Sequence, residues 1–201
     1  MNVQVVVLKC PNCGGNIEKD QKNCEYCGSP LTFSTYESVA EFSPIQANKF
    51  IRGYEFNIQN NPTDRELGAT LNSSMAFFFL KLKMYDKAYE AFSTAMLSNL
   101  ENSEIYFYAA VSLLKGKKAF LHTRPEIDQM LELINAAIMI EPKGIYYYFM
   151  AYIKYDYFKR KFLNTTPNFK DCLAQAKALG CTQKDVALFY DAAGVEPINM
   201  V

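Results

Sequence analysis

Four cysteines near the start of the chain, Cys10, Cys13, Cys24 and Cys27, form two C-x-x-C pairs separated by ten residues. Such a turn sets both sulfurs on one side of a tight loop. The glycine after each pair, Gly14 or Gly28, takes up the positive φ that lets backbone N–H groups approach the sulfur. Two such turns facing each other supply a tetrahedral set of four thiolates, which suits Zn2+. A catalytic zinc keeps an open coordination position, and four cysteines close it. A redox iron would also accept four cysteines, but with a longer gap and a richer aromatic shell. Cys172 and Cys181 lack metal spacing and are expected to be small buried or half-exposed thiols.

Around these pairs the chain reads Cys10-Pro11-Asn12-Cys13-Gly14 and Cys24-Glu25-Tyr26-Cys27-Gly28-Ser29-Pro30-Leu31. This resembles the bacterial-type zinc ribbon, with Pro11, both glycines and the Gly28-Ser29-Pro30-Leu31 tail matching. The resemblance implies one structural Zn2+ held by Cys10, Cys13, Cys24 and Cys27 in a small β module. A Ran-binding-protein-type zinc finger shares the ten-residue gap, but Leu8 stands where that family has Trp, so its reading of single-stranded RNA is not implied. A module this short has almost no core, so metal binding of about 10 kcal/mol or more would supply most of its folding free energy.

The elements that must carry this centre follow from a break in composition near residue 34. Residues 1–33 are turn-rich and strand-like, residues 34–43 read as a linker, and residues 44–201 are helical throughout. Ser43-Pro44 and Thr166-Pro167 place a hydroxyl at the N-cap and proline at N1, while Thr63-x-x-Glu66, Thr123-x-x-Glu126 and Thr182-x-x-Asp185 have capping-box spacing. Gly116, Gly180 and Gly194 mark stops. Eight helices result, over 44–60, 63–83, 85–97, 103–115, 125–140, 144–161, 167–179 and 183–193.

Short connections make successive helices antiparallel, and a period runs through them. Ala88, Phe92 and Ala95 stand at i, i+4 and i+7; Met130, Ile134 and Ala137, followed by Pro142, repeat that spacing, and Phe169, Leu173 and Ala176 form a third copy. With the run from Phe79 to Phe92, this resembles the tetratricopeptide repeat over most of residues 63–179. The second and third copies are longer than the family's unit, and Leu100 and Cys181 stand where it has proline. The fold class expected is mainly α: a tetratricopeptide-like array of helical hairpins with a small N-terminal β zinc ribbon.

If the resemblance holds, the inner-groove face would carry Phe77 and Lys81, Phe107 and Lys115, and Tyr146, Phe149 and Tyr157, and would seat a partner peptide or helix. Residues 145–153 contain no charge and are apolar all round, so they are either buried between neighbours or exposed for recognition. Turns on one edge of such an array gather Lys81, Lys83 and Lys87, then Lys115, Lys117 and Lys118, then Lys159, Arg160 and Lys161. The opposite turns are acidic, with Asp64, Glu66, Glu101, Glu104 and Glu141. Cations at helix C-termini and anions at N-termini also complement the helix dipole without any partner.

The 201 residues carry 21 Lys+Arg against 21 Asp+Glu, so no global field draws the chain to nucleic acid or anionic lipid. Half of the residues are apolar, enough for a core, and no apolar run approaches a membrane span or a secretory signal. Unexported paired cysteines favour metal over disulfides and a cytoplasmic location. The single histidine, His122, is expected to be a solvated loop residue, and no nucleophile elbow, phosphate loop or His-Glu metal helix is present. The function expected is a non-catalytic zinc-binding adaptor for a protein or peptide partner, with homo-oligomers possible. The alternative is a nucleic-acid-binding module using the ribbon or the basic edge.

Overall fold

The computed structural model describes residues 8–200; the first seven residues of the expected ribbon and Val201 lie outside them. The chain forms two compact units, residues 1–100 and 101–201. The division falls at Leu100, not at the expected linker.

In the first unit, the ribbon leads into α1 (Glu37–Ala40), α2 (Pro44–Asn60), α3 (Arg65–Lys81) and α4 (Tyr85–Met96). Ser43 is the expected N-cap of α2 with Pro44 in the first turn, and Gln46 completes a capping box there that was not expected. At α3 the cap is Asp64 instead of Thr63; its carboxylate accepts from the Leu67 N–H at 3.0 Å. α3 ends in a turn through Lys83, at φ +59°, and folds back as α4. α4 is amphipathic and buries Ala88, Ala91, Phe92 and Ala95, the small-aromatic-small stripe, with Phe92 edge-on to Phe77 at 5.1 Å. α3 is buried on nearly all sides because α1 and α2 cover what α4 does not.

Residues 34–43 are not an extended linker. Tyr36 and Val39 are fully buried, and Phe33 and Phe42 join Phe50 of α2 and Phe78 of α3 in a cluster with every ring pair at 5.0 to 5.4 Å. Five of these pairs are edge-on and Phe50 stacks on Phe78. Each such pair contributes about 0.5–1.5 kcal/mol beyond the area it buries. The last residue of the expected ribbon and one residue of the expected linker thus supply half of this cluster.

The second unit contains α5 (Ser103–Ser112), a 3-10 turn at Ala119–Leu121, α6 (Arg124–Ile140), α7 (Gly144–Ile153), α8 (Phe169–Ala178) and α9 (Gln183–Ala193). α5 packs on α6 and α7 on α8, while α9 lies against both α5 and α7. Phe107, Tyr146, Phe149, Tyr152 and Phe189 form its aromatic core; Phe107 meets Tyr146 at 4.6 Å and Phe149 meets Phe189 at 4.8 Å. Gly144 lets α7 approach α8, since a Cβ there would lie 2.7 Å from the Ala176 carbonyl oxygen. The expected helix 144–161 is α-helical only to Ile153; a π-helical turn at Lys154–Phe158 and a 3-10 turn at Lys159–Lys161 follow. At α8 the cap is Asn168 with Asp171, two residues beyond Thr166. The described residues are 62% helical, with nine α-helices and no strands among them.

Three tyrosines of α7, Tyr146, Tyr148 and Tyr152, have hydroxyl partners inside the unit. Tyr146 Oη lies 2.9 Å from Ser103 Oγ and donates to Glu104 Oε1 at 3.2 Å, and Tyr152 Oη accepts from the Ala119 N–H at 3.4 Å. Tyr148 meets Tyr190 hydroxyl to hydroxyl at 3.3 Å. Burial pushes the hydroxyls of Tyr146, Tyr148 and Tyr152 above the usual phenol range, so they stay protonated.

Candidate metal centre

The ribbon is two copies of one knuckle. In the first, the Gly14 N–H donates to the Cys10 carbonyl at 2.9 Å, the Cys10 N–H to Gly15 at 2.8 Å and the Ile17 N–H to Leu8 at 3.1 Å. In the second, Gly28 donates to Cys24 at 2.8 Å, Cys24 to Ser29 at 2.9 Å and Leu31 to Lys22 at 3.0 Å. Gly14 and Gly28 adopt φ +79° and +69°, as the turn requires. Each knuckle is flanked by a single antiparallel bridge, Lys9 to Asn16 and Asn23 to Pro30. The expected β module therefore has no strands among the described residues: its arms run into the metal turns before a ladder can extend.

The four sulfurs lie within 4.8 Å of one another, Cys10 to Cys27 at 3.7 Å and Cys13 to Cys24 at 3.6 Å. A tetrahedron with Zn–S bonds of about 2.3 Å has edges of about 3.8 Å. The donor set and spacing fit one Zn2+, with every tetrahedral position taken by sulfur. Cys10 and Cys24 are buried and Cys13 and Cys27 exposed, so the site sits at the surface with its inner half sealed.

Environment sets the thiols apart. Burial pushes Cys10 up to about 12, while the Ser29 hydroxyl and backbone N–H bring Cys27 down to about 6. Cys13 has the Gly15 N–H to lower it, yet desolvation and the Cys27 and Cys24 sulfurs raise it. Asn12 spans the knuckles: its Nδ2 donates to Ser29 Oγ and lies 3.7 Å from Cys27 Sγ. Its position inside C-P-N-C was the signal for this role; only the fold shows what it reaches.

The ribbon docks on the helices of its own unit. Asn57 of α2 donates from Nδ2 to the Lys9 carbonyl and accepts at Oδ1 from the Lys9 N–H, both at 2.8 Å. Tyr54 Oη donates to the Leu31 carbonyl at 3.1 Å, and Ser74 of α3 bonds the N–H and carbonyl of Phe33 at 2.9 and 3.2 Å. Gly53 presents bare backbone to Pro11. Lys19 reaches Asp64 at 2.7 Å.

The expected groove residues are not on an open face. Phe77, Phe107, Tyr146 and Phe149 are 0–1% exposed and Tyr157 is 5% exposed, so they build the core and offer a partner nothing in this structure. The physical reason is coverage: these helices are apolar all round and other elements close over them. Of the expected cations, Lys115, Lys117 and Arg160 are exposed, and Lys81, Lys118 and Lys161 half-buried. In the second unit Phe120 brings two clusters together: Arg160 stacks over its ring at 4.3 Å and Lys161 lies 5.1 Å away, two residues along from Lys118. Arg160 also pairs with Asp156 at 2.6 Å. That carboxylate, 1% exposed, accepts from the Phe120 N–H at 2.9 Å. His122 is buried, not solvated: Nε2 is 3.1 Å from the Leu114 carbonyl and Nδ1 3.4 Å from Glu126. Cys172 is buried and Cys181 half-buried.

Residues 7–31 match the family model of the zinc-ribbon domain. The chain thus carries a zinc-ribbon domain, with a helical body after it. No curated protein and no solved structure matches the chain. Among the described residues no helix is long and apolar enough to cross a membrane.

Proposed function

We propose that this protein is a non-catalytic adaptor in which a single structural Zn2+ staples the first unit and tetratricopeptide-like hairpins present a docking surface to an acidic peptide or helix. The hairpin reading rests on the α3–α4 pair, where the small-aromatic-small stripe Ala88, Phe92, Ala95 packs against the preceding helix. The docking reading moves from the aromatic residues, now core, to the basic turns.

The observation that carries it is the convergence at Phe120. Arg160 and Lys161 lie over one ring, Lys117 and Lys118 precede that ring by three and two residues in the chain, and two large apolar side chains stand exposed nearby in sequence: Leu121 at 68% and Phe162 at 95%. Basic residues beside exposed apolar anchors suit an acidic partner with one or two hydrophobic side chains, steered by charge and held by burial. Phosphate recognition by the ribbon is less favoured, because four thiolates around Zn2+ carry a net charge of about −2.

The test is capture from native lysate by wild type and by a variant with Lys115→Glu, Lys117→Glu, Leu121→Ser and Phe162→Ser. This set leaves the Arg160–Asp156 pair intact. Loss of a specific protein partner at unchanged thermal stability supports the reading. An unchanged partner set, or salt-sensitive retention on nucleic acid in its place, overturns it.

A further inference from the structure

The π-helical turn after α7 turns a lysine inward. Lys154 is 8% exposed, yet among the described residues its ammonium has no carboxylate partner. It donates to Thr165 Oγ1 and lies 4.9 Å from the centre of the Phe158 ring. Asp128 attracts it only at a distance, and Arg124 opposes it. A buried cation with one neutral acceptor is costly, and desolvation holds Lys154 below the usual lysine range.

This lysine borders an open cleft of about 600 Å3 lined also by Lys159, Thr165, Thr166, Asn168 and Phe169, with Phe162 at its margin. Lys159 is the second cation, 4.7 Å from the ring centres of both Tyr155 and Phe169. An ammonium has three N–H donors, and Thr165 takes one from Lys154. Two donors remain for an anion, beside the hydroxyls of Thr165 and Thr166. The α8 N-terminus itself is already satisfied by Asn168 and Asp171 and is not needed.

We propose that this cleft binds a small phosphate monoester with a flat apolar body, its phosphate between Lys154 and Lys159 and its ring against Phe169 and Phe162. A dianion matches the two ammonium groups and relieves the uncompensated charge of Lys154. The volume falls in the range of small-molecule sites, about 300–1,000 Å3, and leaves room for a ring beyond the anion. This site does not rest on the adaptor reading, although Phe162 belongs to both surfaces: its other residues lie on the turn and loop after α7 and at the first residue of α8, and it would stand if no protein partner were found.

The experiment is calorimetric titration of the full zinc-loaded chain with phenyl phosphate, inorganic phosphate and phenol, with amide chemical shifts followed in parallel. Phenyl phosphate is expected to saturate at one site per chain, inorganic phosphate to bind more weakly and phenol not at all, with the Thr165 and Thr166 amides shifting. Lys154→Met should weaken phenyl phosphate about tenfold or more, as loss of a charged hydrogen bond does, at equal or higher melting temperature. Lys159→Gln, at an exposed position, should weaken it severalfold and keeps the test open if the first variant misfolds. Failure of phenyl phosphate to saturate, binding unchanged in both variants, equal binding of phenol, or shifts elsewhere that spare Thr165 and Thr166 would each overturn the site.

Discussion

The side-chain amide of Asn57 pairs with the backbone of Lys9 in both directions, each bond 2.8 Å, so one helical side chain imitates the strand partner that the ribbon's short arm lacks. Asn57 is 1% exposed, and with Tyr54 and Ser74 it fixes the ribbon to the helices through backbone atoms. The ribbon is therefore anchored to the helices of the first unit, while its metal centre stays at the surface with Cys13 and Cys27 exposed.

Asn57→Ala should destabilise the first unit by about 2 kcal/mol or more, because it strands a backbone donor and an acceptor away from water. Release of zinc to a colorimetric chelator should quicken as the ribbon detaches. Equal unfolding midpoints and equal release rates would show that the paired bonds carry no stability.

Purified protein should contain one zinc per chain, lost on Cys13→Ser with Cys27→Ser. Stoichiometric iron in its place would contradict the assignment. Because the ribbon and Phe33 are bonded into α2 and α3, metal loss should loosen residues well beyond the ribbon. Limited proteolysis of the metal-free protein should leave a resistant fragment beginning near Glu101, where the second compact unit starts.

Zinc affinity should rise with pH, since metal takes thiolate and displaces protons. Cys10 and Cys13, both raised in the metal-free protein, each release one proton across the neutral range, so these two alone give about a hundredfold gain per pH unit. Below the value of about 6 for Cys27, that thiol also becomes protonated in the metal-free form and the dependence steepens. Competition titrations at several pH values measure the slope; a flat profile would mean that the thiols are already ionised without metal.

Two glycines make a paired test. At Gly53 a new Cβ would meet Pro11 Cα at 2.4 Å, backbone that cannot step aside, so Gly53→Ala should cost about 1–3 kcal/mol as an overpacked contact. Gly68, inside α3, has nothing within 4 Å of a new Cβ, so Gly68→Ala should stabilise by up to about 1 kcal/mol through helix propensity. Urea unfolding of both variants reads the contrast, and equal signs would contradict the close docking at Pro11.

Asp156→Ala should cost about 2–4 kcal/mol, since it leaves the Phe120 N–H without its acceptor and removes the Arg160 partner. Asp156→Asn keeps an acceptor and should cost less. Thermal melts of both variants, with Arg160→Ala as the control for the half-exposed side of the pair, separate these terms.

What was legible in the sequence was local. The four cysteines, the glycine after each knuckle, the N-cap at Ser43, the capping boxes at Thr123 and Thr182 and the left-handed stops at Gly180 and Gly194 all depend on groups a few residues apart, and they stand where the spacing put them, whereas α5 ends at Ser112, short of the stop expected at Gly116. Caps failed where a better local acceptor stood close by, Asp64 beside Thr63 and Asn168 beyond Thr166.

Burial depends on what covers a face, and one sequence window does not contain the covering segment. Phe77, Phe107 and Tyr146 have the same pattern whether a partner or another helix lies over them, and the fold decided for the core. Tyr36, Val39 and Phe42 are scattered among polar residues with no period, so nothing local distinguished them from spacer; Phe50 and Phe78 of the helices close on Phe42. Asn57, Asp156 and Lys154 carry no sequence signal at all: each is a polar residue on a helix or helical turn, made consequential by a segment from elsewhere in the chain, Lys9 at 48 positions away, Phe120 at 36 and Thr165 at 11. The sequence determined the metal chemistry and the helices because those are set by neighbours along the chain; the tertiary structure decided which groups are sealed, which are open and which charges stand unpaired.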